Sequence, residues 1–227
     1  MQKLSDGLWR WTARHPEWHP GEFGAEVACF AAQAGDTTLL IDPLLPGDEA
    51  PEEGRSSVLA VIDRTLGNRL AILITIPYHV RSSEELWRRY KKDAETTIHG
   101  HRACTKRLND ESAFREIEPG AALPGGATAH TIGKPRRYEM PLHLPSHDAL
   151  VFGDAVAETG GRLVVWATDK VDAKVESFYR DRFNPTLEPL LDLPFNAVLV
   201  THGQPVLKNG RKALKEALSA KPWYHHG

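Results

Sequence analysis

The sequence contains few cysteines, and none of them is spaced as metal-site or redox pairs are. Cys29 and Cys104 are the only two among 227 residues, and they lie far apart in the chain. A structural zinc finger needs two pairs of ligands at short spacing, so that class of site is excluded. Two isolated thiols are typical of a reducing compartment, where we expect them to be buried and unpaired.

The chain also lacks a long apolar run, a leader-like N-terminus and an excess of one charge. No segment approaches the ~20 apolar residues that cross a bilayer, and residues 1–6 contain no apolar signal core. Lys and Arg number 28 against 30 for Asp and Glu, which gives a net charge of −2. Together these features predict a soluble, cytoplasmic protein with neither a membrane nor a nucleic acid as partner.

Two common catalytic motifs are missing as well. The sequence has no glycine-rich phosphate-binding loop and no Gly-x-Ser-x-Gly nucleophile elbow. We therefore do not expect a P-loop nucleotide enzyme or a serine hydrolase of the α/β type.

Three apolar strands, each ending in a polar residue, carry the most information in the sequence. The apolar runs Leu70–Ile74, Ala149–Phe152 and Ala197–Val200 lead to Thr75, to Gly-Asp154 and to Thr-His202. Strand ends are where α/β sheets usually build their sites. Further short strands are predicted over four segments that we expect to form a second sheet: Phe114 to Glu118, Ala127 to Ile132, Glu139 to Leu144 and Ala149 to Phe152.

The order of these motifs resembles the metallo-β-lactamase-fold family, over roughly residues 8–218. Leu-Leu-Ile-Asp42-Pro comes first, then Thr75 with its loop, then Gly-Asp154-Ala, then Thr-His202-Gly. The resemblance implies an α/β fold, the four-layer αββα sandwich of the metallo-β-lactamase type. It also implies a single domain over residues 1–227, with the strand-end residues gathered at one edge.

The loop that supplies most metal ligands in that family departs from the family pattern here. The pattern reads Thr-His-any-His-any-Asp-His, and the four ligand positions hold Ile76, Tyr78, Val80 and Arg81. The family's next histidine would fall near Pro135, within Gly-Lys-Pro-Arg-Arg. None of these side chains is an ordinary zinc ligand, and a guanidinium about 5 Å from a dication opposes it by several kcal/mol. No cofactor is therefore expected, with zinc as the alternative.

The resemblance places the remaining site residues at Asp154, the family's bridging carboxylate, and at His202, its last histidine. Asp42 corresponds to an acid that orients the site, although an Asp-Pro turn is an equal explanation. His79 is open to three interpretations: a replacement ligand, a member of a Tyr78-His79-Arg81 anion-binding cluster, or a loop histidine in solvent. Because a buried guanidinium needs a partner, we expect an Arg81–Asp154 contact, either direct or through one water.

Three functions remain open from the sequence. The first is a metal-free member of the fold whose pocket binds a small ligand, and an anion would suit the charge-assisted donors of His79 and Arg81. The second is a metal-dependent hydrolase with a one-metal site built from His79, Asp154 and His202. The third is a structural or interaction module. Whether the protein is an enzyme is therefore undecided at this stage, and neither the ligand nor the oligomeric state can be predicted from the sequence.

Overall fold

The computed structural model describes residues 1–20, 23–47 and 52–225. Within them the chain forms thirteen strands and five α-helices, joined by short 3-10 turns. The strands are β1 Gln2–Ser5, β2 Leu8–Arg14, β3 Glu26–Ala34, β4 Thr37–Ile41, β5 Arg69–Leu73, β6 Glu95–Gly100, β7 Phe114–Glu116, β8 Thr128–Ala129, β9 Leu142–Leu144, β10 Ala149–Phe152, β11 Val156–Thr159, β12 Arg162–Val165 and β13 Ala197–Val200. The helices are α1 Glu52–Thr65, α2 Ser83–Tyr90, α3 Ala173–Phe178, α4 Asn184–Leu187 and α5 Gly210–Ser219.

Two main sheets and a separate hairpin make up the β-structure. The first sheet has seven strands in sequence order, β1 to β7, antiparallel up to β4 and parallel from β4 to β7. The second has four strands in the order β13-β10-β9-β8, with β10 and β13 parallel. The strands β11 and β12 form a two-stranded antiparallel sheet of their own.

Three apolar clusters separate the layers of the molecule. One lies between the first sheet and the helices α1 and α2, for example Ile62 and Leu86 against Ile72. A second lies between the two sheets, where Phe30 of β3 faces Val151 of β10. The third lies between the second sheet and the C-terminal helices. Because each sheet buries both faces, the result is the αββα sandwich that the resemblance predicted.

One predicted strand lies in the wrong sheet. Phe114–Glu116 pairs in parallel with β6 and extends the first sheet, instead of joining the second. The run from Ala127 to Ile132 also forms only a two-residue strand, Thr128–Ala129. Both differences arise because alternation of apolar residues indicates that a strand is present, but specifies neither how many of its residues pair nor which strand they pair with.

The parallel pairing places the polar strand ends side by side. The strands β4 and β5 run in register from Thr37 and Arg69, so the residues that follow them, Asp42 and Thr75, leave the sheet together. The second sheet does the same with β10 and β13, and the Ala28 N–H donates to the Thr201 carbonyl (2.7 Å), which ties the two sheets together near this edge. In the described part of the chain, no helix is long and apolar enough to span a bilayer.

Candidate functional site

Asp42 anchors the first half of the site at the end of β4. Its backbone has a positive φ of 49°, a conformation that aspartate adopts more readily than most residues. Its carboxylate accepts hydrogen bonds from the Thr75 N–H (2.8 Å) and the Thr75 hydroxyl (2.5 Å). The same carboxylate lies 2.9 Å from Nδ1 of His79. Asp42 is thus the acid that orients its neighbours, and the turn is a consequence of its position.

His79 is buried between two carboxylates and does not lie in solvent. It belongs to a one-turn 3-10 helix, Pro77–Val80, and only 3% of it is exposed. Nδ1 faces Asp42, and Nε2 lies 3.5 Å from Oδ1 of Asp154. Burial and Arg81 lower the pKa of His79. The carboxylates of Asp42 and Asp154 raise this pKa by more, so it lies above its ordinary value. The acids therefore favour an imidazolium at this point.

Asp154 anchors the second half of the site, directly after β10. Burial raises the pKa of its carboxyl, but His79, Arg136 and His202 lower the pKa more strongly, so the group stays ionised. Its distances are nevertheless long: 3.5 Å to His79, 3.6 Å to Nε2 of His202 and 3.7 Å from Oδ2 to the Arg136 guanidinium. Oδ1 is buried without a hydrogen bond. Asp154 is therefore held by charge more than by short hydrogen bonds.

Gly153 lets the two halves of the site approach each other. A Cβ atom added to this glycine would lie 2.6 Å from the Thr75 hydroxyl and 3.3 Å from the Glu139 carboxyl group. A side chain here would push the Gly153–Asp154 turn away from Thr75. The glycine of the Gly-Asp motif is thus explained by close packing between the two sheets.

His202 follows β13 and faces Asp154 from the second sheet. Burial lowers the pKa of this histidine to about 4, so the imidazole is neutral near pH 7. Its ring packs against Phe23 (5.4 Å between centroids) and Trp166 (5.0 Å). Nδ1 is buried with no hydrogen-bond partner. The 3.6 Å separation of His202 from Asp154 agrees with the expectation that these two residues converge.

Two functional residues were missed by the sequence interpretation. Arg136, within the segment near Pro135, pairs with Asp154 and packs its guanidinium over the ring of Trp166 at 5.3 Å. Glu139 is completely buried and accepts three backbone N–H groups of the Gly153–Ala155 turn at 2.8–3.1 Å. Burial raises the pKa of Glu139 to about 7. The available signal for both was that they lie close to Pro135, where the family's next histidine would fall.

The predicted direct contact between Arg81 and Asp154 is wrong. Within the described residues Arg136 is the arginine that pairs with Asp154, whereas the Arg81 guanidinium donates to the Asp42 carbonyl at 3.1 Å. Arg81 also lies beside Cys29, where it opposes the burial that raises the thiol pKa to about 11. The backbone of Arg81 has φ 41° and ψ −121°, a left-handed conformation that is uncommon for a residue other than glycine.

A pocket of about 510 Å³ opens in front of these residues. Its floor contains His79, Arg81 and Asp154, and Tyr78 stands at its mouth with 62% of its surface exposed. Arg107 and Arg136 also line the pocket, so three arginines face it against two carboxylates, Glu17 and Asp154. Its remaining walls include the aromatic residues Trp18, Phe23, Trp166 and Tyr224. The volume suits a small organic molecule.

The donors at this edge do not fit a dinuclear metal centre. In the described residues no group of three or more His, Cys, Asp or Glu side chains is arranged to hold a metal ion. The three closest candidates, His79, Asp154 and His202, do meet at one carboxylate oxygen, but two imidazoles and one carboxylate are too few donors for two metal ions. The guanidinium of Arg136 also stands 3.7 Å from the same carboxylate, where a dication would be repelled.

Comparison with known proteins identifies the fold. No protein-family profile and no curated protein matches the sequence. Among solved structures, the metallo-β-lactamase DIM-1 is similar with a TM-score of 0.65 and 10% identity, covering 96% of this chain and 94% of that one. The chemotaxis sensor ODP, described as a peroxy diiron species, is similar with a TM-score of 0.58 and 16% identity, covering 86% and 88%. FIM-1 from Pseudomonas aeruginosa, a metallo-β-lactamase in its mono-zinc form, gives 0.60 and 10%, covering 96% and 92%.

These identities are too low to carry an activity across, but the agreement in structure covers almost the whole chain. It agrees with the order of strand-end motifs in the sequence and with the two stacked sheets. The protein has the metallo-β-lactamase fold, and its sequence is 10–16% identical to these solved structures.

Proposed function

We propose that this protein is a metal-free member of the metallo-β-lactamase fold whose pocket binds a small anionic molecule. The observation that carries the proposal is the pairing of Asp154 with cationic side chains of the protein. His79 lies 3.5 Å from Asp154 on one side, and Arg136 lies 3.7 Å away on the other. They supply the positive charge that a bridging carboxylate would otherwise need from metal ions.

The pocket offers donors to an anion in addition to this pairing. Nε of Arg81 and Nε of Arg136 are buried at the pocket without hydrogen-bond partners, as is the indole nitrogen of Trp18. Buried donors without partners cost free energy unless a ligand or water satisfies them. A carboxylate or phosphate group accepts from guanidinium groups through charge-assisted hydrogen bonds. Small shifts of the two arginines on binding would satisfy these donors.

Titration calorimetry with inorganic phosphate and with acetate tests this proposal. We expect binding to the wild-type protein, with affinity unchanged by a chelator because no metal takes part. Arg136→Gln should weaken binding about 10-fold or more, because a charge-assisted hydrogen bond contributes about 1.5–3 kcal/mol.

Arg137→Gln is the matched control, because Arg137 is adjacent in sequence but exposed and bonded to the Tyr138 hydroxyl. This variant should bind phosphate as the wild type does. The proposal fails if neither anion binds, or if Arg137→Gln and Arg136→Gln weaken binding equally. Absence of both anion and metal binding would favour the structural or interaction module.

The second candidate is a hydrolase with one metal ion, and a specific observation favours it. Oδ1 of Asp154 has no hydrogen bond and lies 3.5 Å and 3.6 Å from Nε2 of His79 and His202. Neighbouring ligands of a four-coordinate zinc ion stand at similar separations, and the Asp42–His79 pair has the form of a carboxylate that orients a metal-bound histidine. One tightly bound zinc equivalent, lost in His202→Ala, would establish this candidate.

We also place the protein in the cytoplasm, with neither a nucleic acid nor a membrane as partner. Cys29 and Cys104 are both buried and free, which supports a reducing compartment. When the protein is expressed with an export signal, we expect both thiols to remain free, with no disulfide between them. An intramolecular Cys29–Cys104 disulfide in such protein would count against this placement.

A further inference from the structure

Tyr78 and Arg107 form an exposed aromatic and cationic pair at the mouth of the pocket. The Arg107 guanidinium stacks on the Tyr78 ring, 4.4 Å from its centroid, and both residues line the pocket. Tyr78 is 62% exposed, the largest exposure among the exposed large hydrophobic side chains of the described residues. A ring exposed to this extent at the mouth of a pocket is available to contact a ligand.

The position of Tyr78 next to His79 connects this pair to the floor of the pocket. The two residues are consecutive in the 3-10 turn Pro77–Val80, and they face opposite ways: His79 into the protein and Tyr78 outward. When the anionic group of a bound molecule contacts the arginines deep in the pocket, the rest of that molecule therefore lies beside the Tyr78 ring near the opening. Phe23, Trp18 and Trp166 supply further aromatic surface on the walls.

We propose that the ligand is an anion that carries a planar ring, and that Tyr78, held in place by Arg107, is the residue that recognises the ring. This inference rests on the proposed anion-binding function and specifies its ligand class. One face of the Tyr78 ring is covered by the guanidinium, so a ring of the ligand stacks against the other face. The shared chemistry is that of an aromatic carboxylate or an aromatic phosphate ester.

The protein contains a matched control for this pair. Tyr138 is also exposed, at 44%, and Arg137 stacks over its ring at 4.6 Å. Neither residue lines the pocket, although Tyr138 follows the same loop as Arg136. The two pairs share a guanidinium stacked on a tyrosine ring and differ in whether the pocket lies beside them. The Tyr138 ring also packs against His101 at 4.9 Å, and its hydroxyl accepts from Arg137.

The test compares inorganic phosphate with phenyl phosphate by titration calorimetry. Wild-type protein should bind phenyl phosphate about 3- to 10-fold more tightly, the gain that an aromatic contact gives. Tyr78→Ala should remove this gain, so that the variant binds the two compounds with equal affinity. Tyr78→Phe should keep the gain, and Tyr138→Ala should change neither affinity.

The outcomes separate this inference from the function beneath it. If phosphate binds but phenyl phosphate gains nothing, or if the gain survives Tyr78→Ala, the inference is overturned and the anion site remains. If Tyr138→Ala removes the gain as fully as Tyr78→Ala, the assignment to Tyr78 is overturned. If neither compound binds, the proposed function fails and this inference fails with it. Because Tyr78 is exposed, we expect its variants to fold. Circular dichroism, recorded before titration, would detect an unfolded variant.

Discussion

The two strand-end carboxylates of the site, Asp42 from the first sheet and Asp154 from the second, are held in opposite ways. Asp42 is 1% exposed and accepts two short hydrogen bonds from Thr75, at 2.5 Å and 2.8 Å, besides facing His79 at 2.9 Å. Asp154 has cationic and imidazole neighbours only at 3.5–3.7 Å, and one of its oxygens has no hydrogen bond. The first sheet thus provides a fixed support, Asp42 with Thr75. The second sheet provides the other half of the site, Asp154, which lines the pocket and is less tightly held.

The difference shows what a fold can retain when its metal ligands change. The support at Asp42 depends on local chain geometry, because Asp42 and Thr75 leave two parallel strands in register. The contacts of Asp154 depend on residues from separate segments, Arg136 among them, whose charge holds the carboxylate ionised. In the metal-free protein that we propose, the support is kept and protein cations take the place of a metal at Asp154.

The largest predicted effect is the loss of the support. Asp42→Ala leaves the Thr75 N–H and hydroxyl and the His79 imidazole without their acceptor in a buried site, so it should lower the free energy of unfolding by about 3–5 kcal/mol. Asp154→Ala should cost only about 1–2 kcal/mol, because its contacts are long and the group is partly exposed. Urea denaturation of the two variants measures the difference, and equal losses would remove the distinction between the halves.

The second prediction concerns Glu139, whose pKa in the folded protein is raised to about 7. The folded state then binds more protons than the unfolded state between the two pKa values. The stabilisation is complete below about pH 4.5 and is lost as the pH rises through about 7, a decline of about 3 kcal/mol. Glu139→Gln should flatten that decline in urea denaturation at pH 5 and pH 8, though with a lower stability at pH 5. An unchanged slope would show that Glu139 does not titrate there.

A third prediction concerns the contact between the halves. Gly153→Ala places a Cβ atom 2.6 Å from the Thr75 hydroxyl, so the turn that carries Asp154 has to move. We expect a loss of about 1–3 kcal/mol in thermal or urea denaturation, as for overpacked cores. Gly126→Ala is the control, since no atom lies within 4 Å of an added Cβ there, although its φ of 74° carries its own strain cost. A tolerated Gly153→Ala would contradict the close packing described above.

The smallest predicted effect concerns Arg81, whose side chain contacts the support and not Asp154. Arg81→Ala removes one hydrogen bond to the Asp42 carbonyl, so it should destabilise the protein by about 1 kcal/mol. The pKa values of His79 and His202 should rise, because Arg81 lowers both of them. Histidine titration by NMR follows those shifts. A loss as large as that of Asp42→Ala would show that Arg81 is the counter-charge of the buried acids.

The fold and the strand-end residues of the site were predictable from the sequence, because each depends on a local signal. An apolar run followed by a polar residue marks a strand and its end, and three such ends meet here, with Asp154 and His202 only 3.6 Å apart. For Arg136 and Glu139 the sequence offered only their position near the missing histidine, since they lie in the irregular segment between β8 and β9 and only tertiary packing brings them to Asp154. The partner of Arg81 was missed because a sequence alignment considers side-chain partners, whereas the guanidinium donates to a backbone carbonyl, that of Asp42.

Metal content is the most direct test of the central claim that protein cations replace the metal at Asp154. Protein purified without a metal-binding tag would be incubated with excess zinc, dialysed against a weak chelator and examined by elemental analysis. We expect well below about 0.1 equivalents of zinc per chain, as for a protein without a specific zinc site. Phosphate affinity should be the same before and after this treatment. One or two equivalents that survive dialysis, with lower phosphate affinity after a strong chelator, would contradict the claim.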